Sequence, residues 1–131
     1  YGDMAGSLSV LGDVYKTDVY KLARFINRNQ EIIPENIITK PPSAELKPNQ
    51  KDTDALPEYE ILDAILYHYI EQRASLDEIV RLGFSKEVVT EILHKINATE
   101  YKRYQAPPIL RISMKAFGLG RRMPLVAKYD N

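Results

Sequence analysis

Lys16 stands just outside the N-terminus of a predicted helix, a position where a lysine can contact a phosphate group. Thr17, directly after it, is predicted to cap a helix, and Asp18 falls in the first turn, where the helix dipole favours anions. Unpaired amides at a helix start, next to a lysine ammonium, form a place where a phosphate can rest. The alternative is that Lys16 is an ordinary solvated side chain.

Basic residues gather towards the C-terminus, although the formal net charge is zero. Residues 1–99 contain 11 Lys and Arg against 16 Asp and Glu, a balance of −5, whereas residues 100–131 contain 7 against 2, a balance of +5. Such a tail favours a partner that bears phosphate, and it is equally suited to dock on the acidic part of the chain.

Several kinds of site are excluded or disfavoured by composition. The absence of cysteine excludes a disulfide framework, a thiolate metal site and a cysteine nucleophile, and it fits a reducing compartment. The two histidines, His68 and His94, lie in helical patterns, which does not favour a metal site or a catalytic triad. No apolar run reaches about 18 residues. We therefore predict a soluble cytoplasmic protein.

The chain is organised around the Pro41-Pro42 pair. Two consecutive prolines cannot lie inside a helix or a central strand, because each removes an amide donor and fixes φ. A polar run follows, so residues 40–56 are predicted to form a mobile surface loop without secondary structure. Loops of this kind cover bound ligands, and the alternative is a linker between two helical subdomains.

Helical spacing and capping signals predict the elements that position these residues. One apolar helix face combines Val19, Leu22, Ala23 and Ile26, and a short helical turn starts at Pro34. A second face begins after Pro57, which suits the first helical position, and combines Tyr59, Leu62, Leu66, Tyr69 and Ile70.

The second half of the chain has clearer helix boundaries. Ser75 and Glu78 form a predicted capping box, and Gly83 can end that short helix. Ser85 caps the next helix, which is predicted to run on to Gln105 before the prolines that follow. Residues 8–11 can form a brief strand, and residues 109–131 are predicted to form an extended basic tail. The chain is thus mainly α-helical.

The helix pair between Ser75 and Ile96 has the spacing of a helix-turn-helix, but charges on its second helix balance, which does not favour DNA binding. A non-catalytic helical interaction module remains the alternative function, with a basic tail that binds nucleic acid or a protein partner. It predicts that Lys102, Arg121 and Arg122 form one exposed stripe.

Six ordered motifs resemble the C-terminal part of NAD synthetases and cover nearly the whole chain: YGD at 1–3, VYKT at 14–17, KPPSAEL at 40–46, LPEY with LD at 56–63, EYKR with PP at 100–108, and GRRMP at 120–124. The tail at 117–124 is similar to that of the glutamine-dependent type. The resemblance implies the C-terminal helical portion of a Rossmann-like α/β adenine-nucleotide-hydrolase domain, whose parallel strands lie upstream of residue 1.

The resemblance implies an ATP-dependent ligase. ATP adenylates the carboxylate of deamido-NAD, with magnesium supporting this step, and ammonia from glutamine then displaces AMP to give NAD. By the same resemblance, Lys16 and Ser43 contact ATP, while Asp3, Tyr101 and Lys102 contact deamido-NAD. The family also implies a homo-oligomer, with no membrane or nucleic-acid partner.

Two positions depart from the family pattern. Tyr101 stands where some members carry histidine, and Ser7 stands where ammonia-dependent members carry a second aspartate. The family's Ser-Gly-Gly-x-Asp-Ser pyrophosphatase loop, its magnesium carboxylates and its glutaminase cysteine are not in these residues. We therefore expect a fragment that has no catalytic residue or metal ligand of its own and is inactive without upstream synthetase and glutaminase portions.

Overall fold

The fold was analysed in a computed structural model, which describes residues 5–43, 47–115 and 120–125. The regular elements in these ranges are helical, as predicted. A 3-10 turn lies at Asp52–Asp54 and a π-helical turn at Tyr67–Glu71. The α-helices are α1, Lys16–Ile26; α2, Glu35–Thr39; α3, Tyr59–Leu66; α4, Leu76–Arg81; α5, Lys86–Ala98; and α6, Glu100–Gln105. No helix in the described ranges is long and apolar enough to cross a membrane.

The chain divides into two compact units. The small unit is Tyr15–Ala64, and the large unit combines Tyr1–Val14 with Ile65–Asn131. The loop at residues 40–56 lies inside the small unit, so it does not link the two. Its role as a mobile cover for a nucleotide stays a prediction.

The start of α1 differs from the prediction. Tyr15, not Thr17, is the N-cap residue, and its side chain makes no capping hydrogen bond. The amide of Thr17 instead donates to the Asp63 carboxylate of α3 at 2.8 Å. A carboxylate at the first turn satisfies an unpaired amide and interacts favourably with the helix dipole. Asp63 is therefore the cap that joins α3 to α1.

The remaining packing of the small unit is light. No residue of α1 is buried, so the predicted apolar face of this helix is at most half-buried within the described structure. Among the described residues of this unit, the buried hydrophobic side chains are Ile38 and Leu62. Asn27 fixes the turn between α1 and α2, because its side-chain oxygen accepts the amides of Ile32 and Ile33 at 3.0 and 2.9 Å.

The loop at residues 40–56 contains more regular structure than predicted in its described parts, residues 40–43 and 47–56. Its end forms the 3-10 turn, in which the carbonyl of Asp52 accepts the amides of Ala55 and Leu56 at 3.1 and 3.0 Å. Helix α3 then begins at Tyr59, two residues after the predicted first position at Pro57. A polar sequence can hold such a turn because its hydrogen bonds are local and need no apolar anchor.

The large unit has a core of aliphatic side chains from α3, α4, α5 and the π-helical turn. Its buried hydrophobic residues are Ile65, Ile70, Ile79, Val89, Ile92 and Ile96. Both predicted caps are confirmed. Ser75 and Glu78 form a reciprocal capping box, and Ser85 caps α5 by accepting the amide of Val88 at 3.5 Å. Gly83, with φ of +103°, follows α4 as predicted.

Replacing Ser75 with alanine is expected to destabilise α4. The amide of Glu78 would lose its capping oxygen, a change that costs about 1 kcal/mol at a typical N-cap. Hydrogen exchange of the α4 amides should show a correspondingly lower opening free energy in Ser75→Ala, whereas Ser75→Thr should retain most of it. Equal exchange in wild type and Ser75→Ala would contradict the capping role.

The single helix predicted from Ser85 to Gln105 is interrupted at Thr99, which has φ −99° and ψ 10°. The reason is that side-chain donors compete with the backbone amide of Glu100 for the carbonyl of Ile96. In a continuous helix the carbonyl of Ile96 would accept the amide of Glu100. Here it accepts the Arg103 guanidinium, while the Thr99 hydroxyl donates to the Lys95 carbonyl at 2.7 Å and, at the longer distance of 3.3 Å, to the Ile96 carbonyl. Side-chain donors therefore divide the predicted helix into α5 and α6.

The described parts of the segment after α6 contain no helix, and the segment is tied to the start of the chain. Ser9 and Ile109 form an isolated parallel β-bridge, in place of the brief strand predicted for residues 8–11. The buried Asp13 carboxylate accepts the amides of Ile112 and Ser113 at 2.8 and 2.7 Å. These contacts fix the described part of the tail after Ile109 within the large unit.

Candidate functional site

Lys16 is the first residue of α1, and its ammonium lies over two aromatic rings of the small unit. The Nζ atom is 5.6 Å from the ring centroid of Tyr20 and 5.8 Å from that of Tyr59. Contacts of this kind restrict a lysine side chain while leaving its N–H donors available for an anion. Lys16 is therefore a positioned cation.

The amides that follow Lys16 are not open, contrary to prediction. The Thr17 amide donates to Asp63, and the Asp18 amide donates to the Tyr15 carbonyl at 3.0 Å. A phosphate near this point would consequently be held by the Lys16 ammonium rather than by the start of α1.

Tyr59 connects Lys16 to the loop. Its hydroxyl donates to Oδ2 of Asp52 at 2.6 Å, a short distance typical of a hydrogen bond to a carboxylate. Burial of the ring, together with this hydrogen bond, raises the pKa of Tyr59 well above its ordinary value of 10.0. The phenol therefore stays protonated, and remains a donor to Asp52, throughout the neutral range.

Asp52 links Tyr59 to the backbone directly before Ser43. Its backbone amide donates to the Pro42 carbonyl at 2.9 Å, directly before Ser43 in the chain. Lys16, Tyr59, Asp52 and the Pro42-Ser43 turn thus form one connected set within the small unit, which we call the Lys16–Ser43 site. The two residues that the resemblance assigns to ATP are joined through two others that the sequence does not single out.

Ser43 lies in an open pocket of about 610 Å³ with three lysines in its wall. A hydroxyl next to several ammonium groups is a suitable environment for a phosphate chain, because the cations offset its charge and the hydroxyl adds a directed donor. The pocket is lined by Lys40, Pro41, Ser43, Lys47, Pro48, Asn49, Gln50 and Lys51. Sequence patterns did not single out these three lysines, although all of them lie within eight residues of Ser43 in the sequence.

The residues assigned to deamido-NAD lie elsewhere. Tyr101 and Lys102 are exposed neighbours on α6 in the large unit, with Tyr101 49% exposed. Asp3 lies outside the described residues. Because Lys102 belongs to the large unit and Ser43 to the small unit, the single cleft predicted to hold both stays a prediction.

Glu100, at the start of α6, is a buried carboxylate held by two arginines. Its Oε2 atom is 2.6 Å from Nη2 of Arg103 and 3.6 Å from Nη1 of Arg121, and Oε1 accepts the amide of Met123 at 3.2 Å. The Arg121 guanidinium also lies over the ring of Tyr69, 4.9 Å from its centroid. This cluster anchors the described part of the tail at residues 120–125 to the helices.

The burial of Arg121 bears on the alternative function. Only 15% of its side chain is exposed, so Lys102, Arg121 and Arg122 do not form the exposed basic stripe that an interaction module requires. The tail's arginine is engaged by an acidic residue of its own unit. That residue, Glu100, belongs to the basic segment itself, so this contact does not test docking of the tail on the acidic residues 1–99.

A smaller pocket of about 240 Å³ lies beyond α6, with Glu100, Arg103, Tyr104, Ala106, Pro107, Pro108, Ile109 and Arg122 in its wall. Arg122 lies over the ring of Tyr104 at 5.4 Å. Neither Tyr101 nor Lys102 lines this pocket. It therefore does not by itself form the predicted deamido-NAD site.

The described residues do not fit a magnesium site. No three histidine, aspartate or glutamate side chains in these ranges come together as ligands.

Comparisons with known proteins agree with the sequence motifs. The family model for NAD synthase matches residues 1–106. The glutamine-dependent NAD(+) synthetase of Synechocystis sp. is 50% identical over 129 residues, which cover 98% of this chain and 23% of that protein. The corresponding synthetase of Acinetobacter baylyi is 53% identical over 128 residues, which cover 96% of this chain and 24% of that protein.

A solved structure is also similar. The glutamine-dependent NAD+ synthetase from Acinetobacter baumannii, in complex with adenosine diphosphate, is 41% identical, with a TM-score of 0.53, and the match covers 95% of this chain and 22% of that one. The chain thus spans about a quarter of the length of the relatives it matches.

Proposed function

Because this chain belongs to the NAD synthase family, we propose that it is the C-terminal part of a glutamine-dependent NAD synthetase and that its Lys16–Ser43 site binds the phosphates of ATP. The observation that carries this proposal is the connected set from Lys16 through Tyr59 and Asp52 to Pro42, beside a pocket with three lysines. The relative solved with adenosine diphosphate supports nucleotide binding.

The proposed reaction has two steps. A carboxylate oxygen of deamido-NAD attacks the α-phosphorus of ATP, and the bond to the bridging oxygen breaks to release pyrophosphate. Ammonia then attacks the activated carbonyl carbon, AMP leaves with the electrons of the acyl–oxygen bond, and loss of a proton gives the amide of NAD. A carboxylate is a poor electrophile, so adenylation supplies the leaving group that the second step needs.

This chain would contribute positioning and charge stabilisation rather than a covalent nucleophile. The Lys16 ammonium would offset phosphate charge, and the Ser43 hydroxyl would donate to a phosphate oxygen. Lys40, Lys47 and Lys51 would balance the charge of the departing pyrophosphate. On α6, Lys102 and Tyr101 would contact deamido-NAD, and Asp3 would complete that contact.

Several further features of the whole enzyme belong to the same proposal. The upstream synthetase portion would supply the magnesium ligands and the parallel strands, and a glutaminase portion would supply ammonia. We also expect a homo-oligomer that works in the cytoplasm. The loop at residues 40–56 would close over bound ATP.

The direct test is to supply the full-length protein that carries this chain with deamido-NAD, ATP and glutamine. We expect equal amounts of NAD, AMP and pyrophosphate, with ammonium able to replace glutamine. Formation of ADP and phosphate instead of AMP and pyrophosphate, or no NAD with either nitrogen donor, would contradict the proposal.

Ser43→Ala should raise the KM for ATP about 10-fold to 100-fold. The reason is the loss of one hydrogen bond to a charged phosphate, worth about 1.5–3 kcal/mol. Steady-state kinetics with ATP varied at saturating deamido-NAD measures this effect. Ser43→Thr retains a hydroxyl and should restore most of the affinity, and an unchanged KM in Ser43→Ala would remove Ser43 from the site.

A further inference from the structure

Helix α3 contacts both the side chain of Lys16 and the backbone of the next residue, Thr17. Tyr59 lies under the Lys16 ammonium, and Asp63, four residues later, accepts the amide of Thr17. Residues four apart in a helix lie on the same face, so one face of α3 holds both contacts. The position of Lys16 is therefore set by α3.

Asp52 is engaged through both its backbone and its side chain. The amide holds the Pro42 carbonyl, and the carboxylate accepts the Tyr59 hydroxyl. Asp52 also starts the 3-10 turn, which leads into α3 through Leu56 and Pro57. The loop that carries Ser43 is consequently fastened to the same tyrosine that lies under Lys16.

We propose that Tyr59 and Asp52 are positioning residues, which hold Lys16 and the Pro42-Ser43 turn in the one arrangement that binds the phosphates of ATP. This inference rests on the proposed function and extends it to two residues that touch neither substrate. Tyr59 orients Lys16 with its ring and orients the loop with its hydroxyl.

The physical basis is the cost of ordering a long polar loop. Fixing each residue costs about 1–2 kcal/mol of backbone entropy, and residues 47–55, which are mainly polar and mostly exposed, bury little apolar surface to offset that cost. A hydrogen bond between Tyr59 and Asp52 provides part of the ordering before ATP binds. It also holds the Asp52 carboxylate, which would otherwise be free to pair with the lysines that line the Ser43 pocket.

Two variants of the full-length enzyme test the pair. Tyr59→Phe keeps the ring under Lys16 but removes the hydroxyl, and Asp52→Asn keeps the backbone amide but weakens the acceptor. We expect each variant to raise the KM for ATP about 5-fold to 10-fold, as loss of one hydrogen bond does. The KM for deamido-NAD and the melting temperature should stay within error of wild type.

The control is Tyr67→Phe, which also removes a tyrosine hydroxyl with a hydrogen-bond partner, since Tyr67 accepts from Gln72 at 2.9 Å. It should leave the KM for ATP unchanged. A second control measures the coupling between Tyr59 and Ser43 in a double variant. If the pair acts by positioning Ser43, Tyr59→Phe should have little further effect in a Ser43→Ala background, because the interaction that it supports is already absent.

The outcomes separate this inference from the proposed function. An enzyme that forms NAD, but whose KM for ATP is unchanged within twofold in both variants, overturns the positioning role and leaves the proposed function standing. Equal increases in the KM for ATP and deamido-NAD, or a lower melting temperature with unchanged KM, overturn it as well. A wild-type protein that forms no NAD overturns both.

Discussion

Replacing Lys16 with alanine is expected to lower kcat/KM for ATP about 100-fold to 1,000-fold in the full-length enzyme. This is the typical effect of removing one preorganised donor from developing charge in a transition state. The effect should be larger than for Ser43→Ala, because Lys16 supplies a full charge held over two rings. Steady-state kinetics with ATP as the varied substrate measures it.

Lys21→Ala is the matched control, because Lys21 lies on the same helix but is exposed and pairs with Asp18, at 2.7 Å, three residues away. It should change kcat/KM for ATP by less than about twofold, as expected for a surface ion pair. Lys16→Arg retains the charge and should be less damaging than alanine. If Lys16→Ala and Lys21→Ala had equal kinetics, Lys16 would not bind ATP.

Replacing Glu100 with glutamine is expected to destabilise the helices around it by about 3–5 kcal/mol, the usual cost of removing one partner of a buried ion pair. Only 3% of the Glu100 side chain is exposed, and the substitution would leave the largely buried Arg103 and Arg121 without their carboxylate. Native-state hydrogen exchange of the α5 and α6 amides measures the free energy of local opening.

Glu91→Gln provides the comparison. Glu91 pairs with Lys95 at 2.7 Å on α5, but 65% of its side chain is exposed, so its loss should cost less than about 1 kcal/mol. Glu100→Gln should also increase exchange at residues 120–125, because Glu100 accepts the Met123 amide. If the two variants had similar opening free energies, the Glu100 cluster would not be an anchor.

Features encoded by short sequence separations were predictable. The capping box at Ser75, the simple cap at Ser85 and the glycine after α4 depend on residues two or three positions apart, so their signals are local. The helical character of the chain likewise follows from apolar spacing. The motifs assigned Lys16 and Ser43 to one substrate, and both lie in one unit of the structure.

The contacts that join distant segments were not predictable from local patterns. Asp63 caps α1 from 46 residues away, and nothing near Thr17 indicates that a carboxylate from another helix would replace its own hydroxyl as a cap. The break at Thr99 depends on Arg103 reaching back to the Ile96 carbonyl. Helix propensity alone favours continuation there.

Net charge was also a poor guide to exposure. The basic excess after residue 99 predicted a surface, yet Arg121 is largely buried against Glu100 and Tyr69. A guanidinium can be buried when a carboxylate and an aromatic ring are both available to it. Pairing depends on the folded arrangement, which a charge count does not contain.

A crystal structure of the full-length protein with a non-hydrolysable ATP analogue would test the Lys16–Ser43 site most directly. We expect Nζ of Lys16 and Oγ of Ser43 to lie within about 3.5 Å of phosphate oxygens of the same nucleotide, with the Tyr59–Asp52 hydrogen bond intact. A nucleotide whose phosphates contact neither Lys16 nor Ser43, or only one of the two, would contradict it.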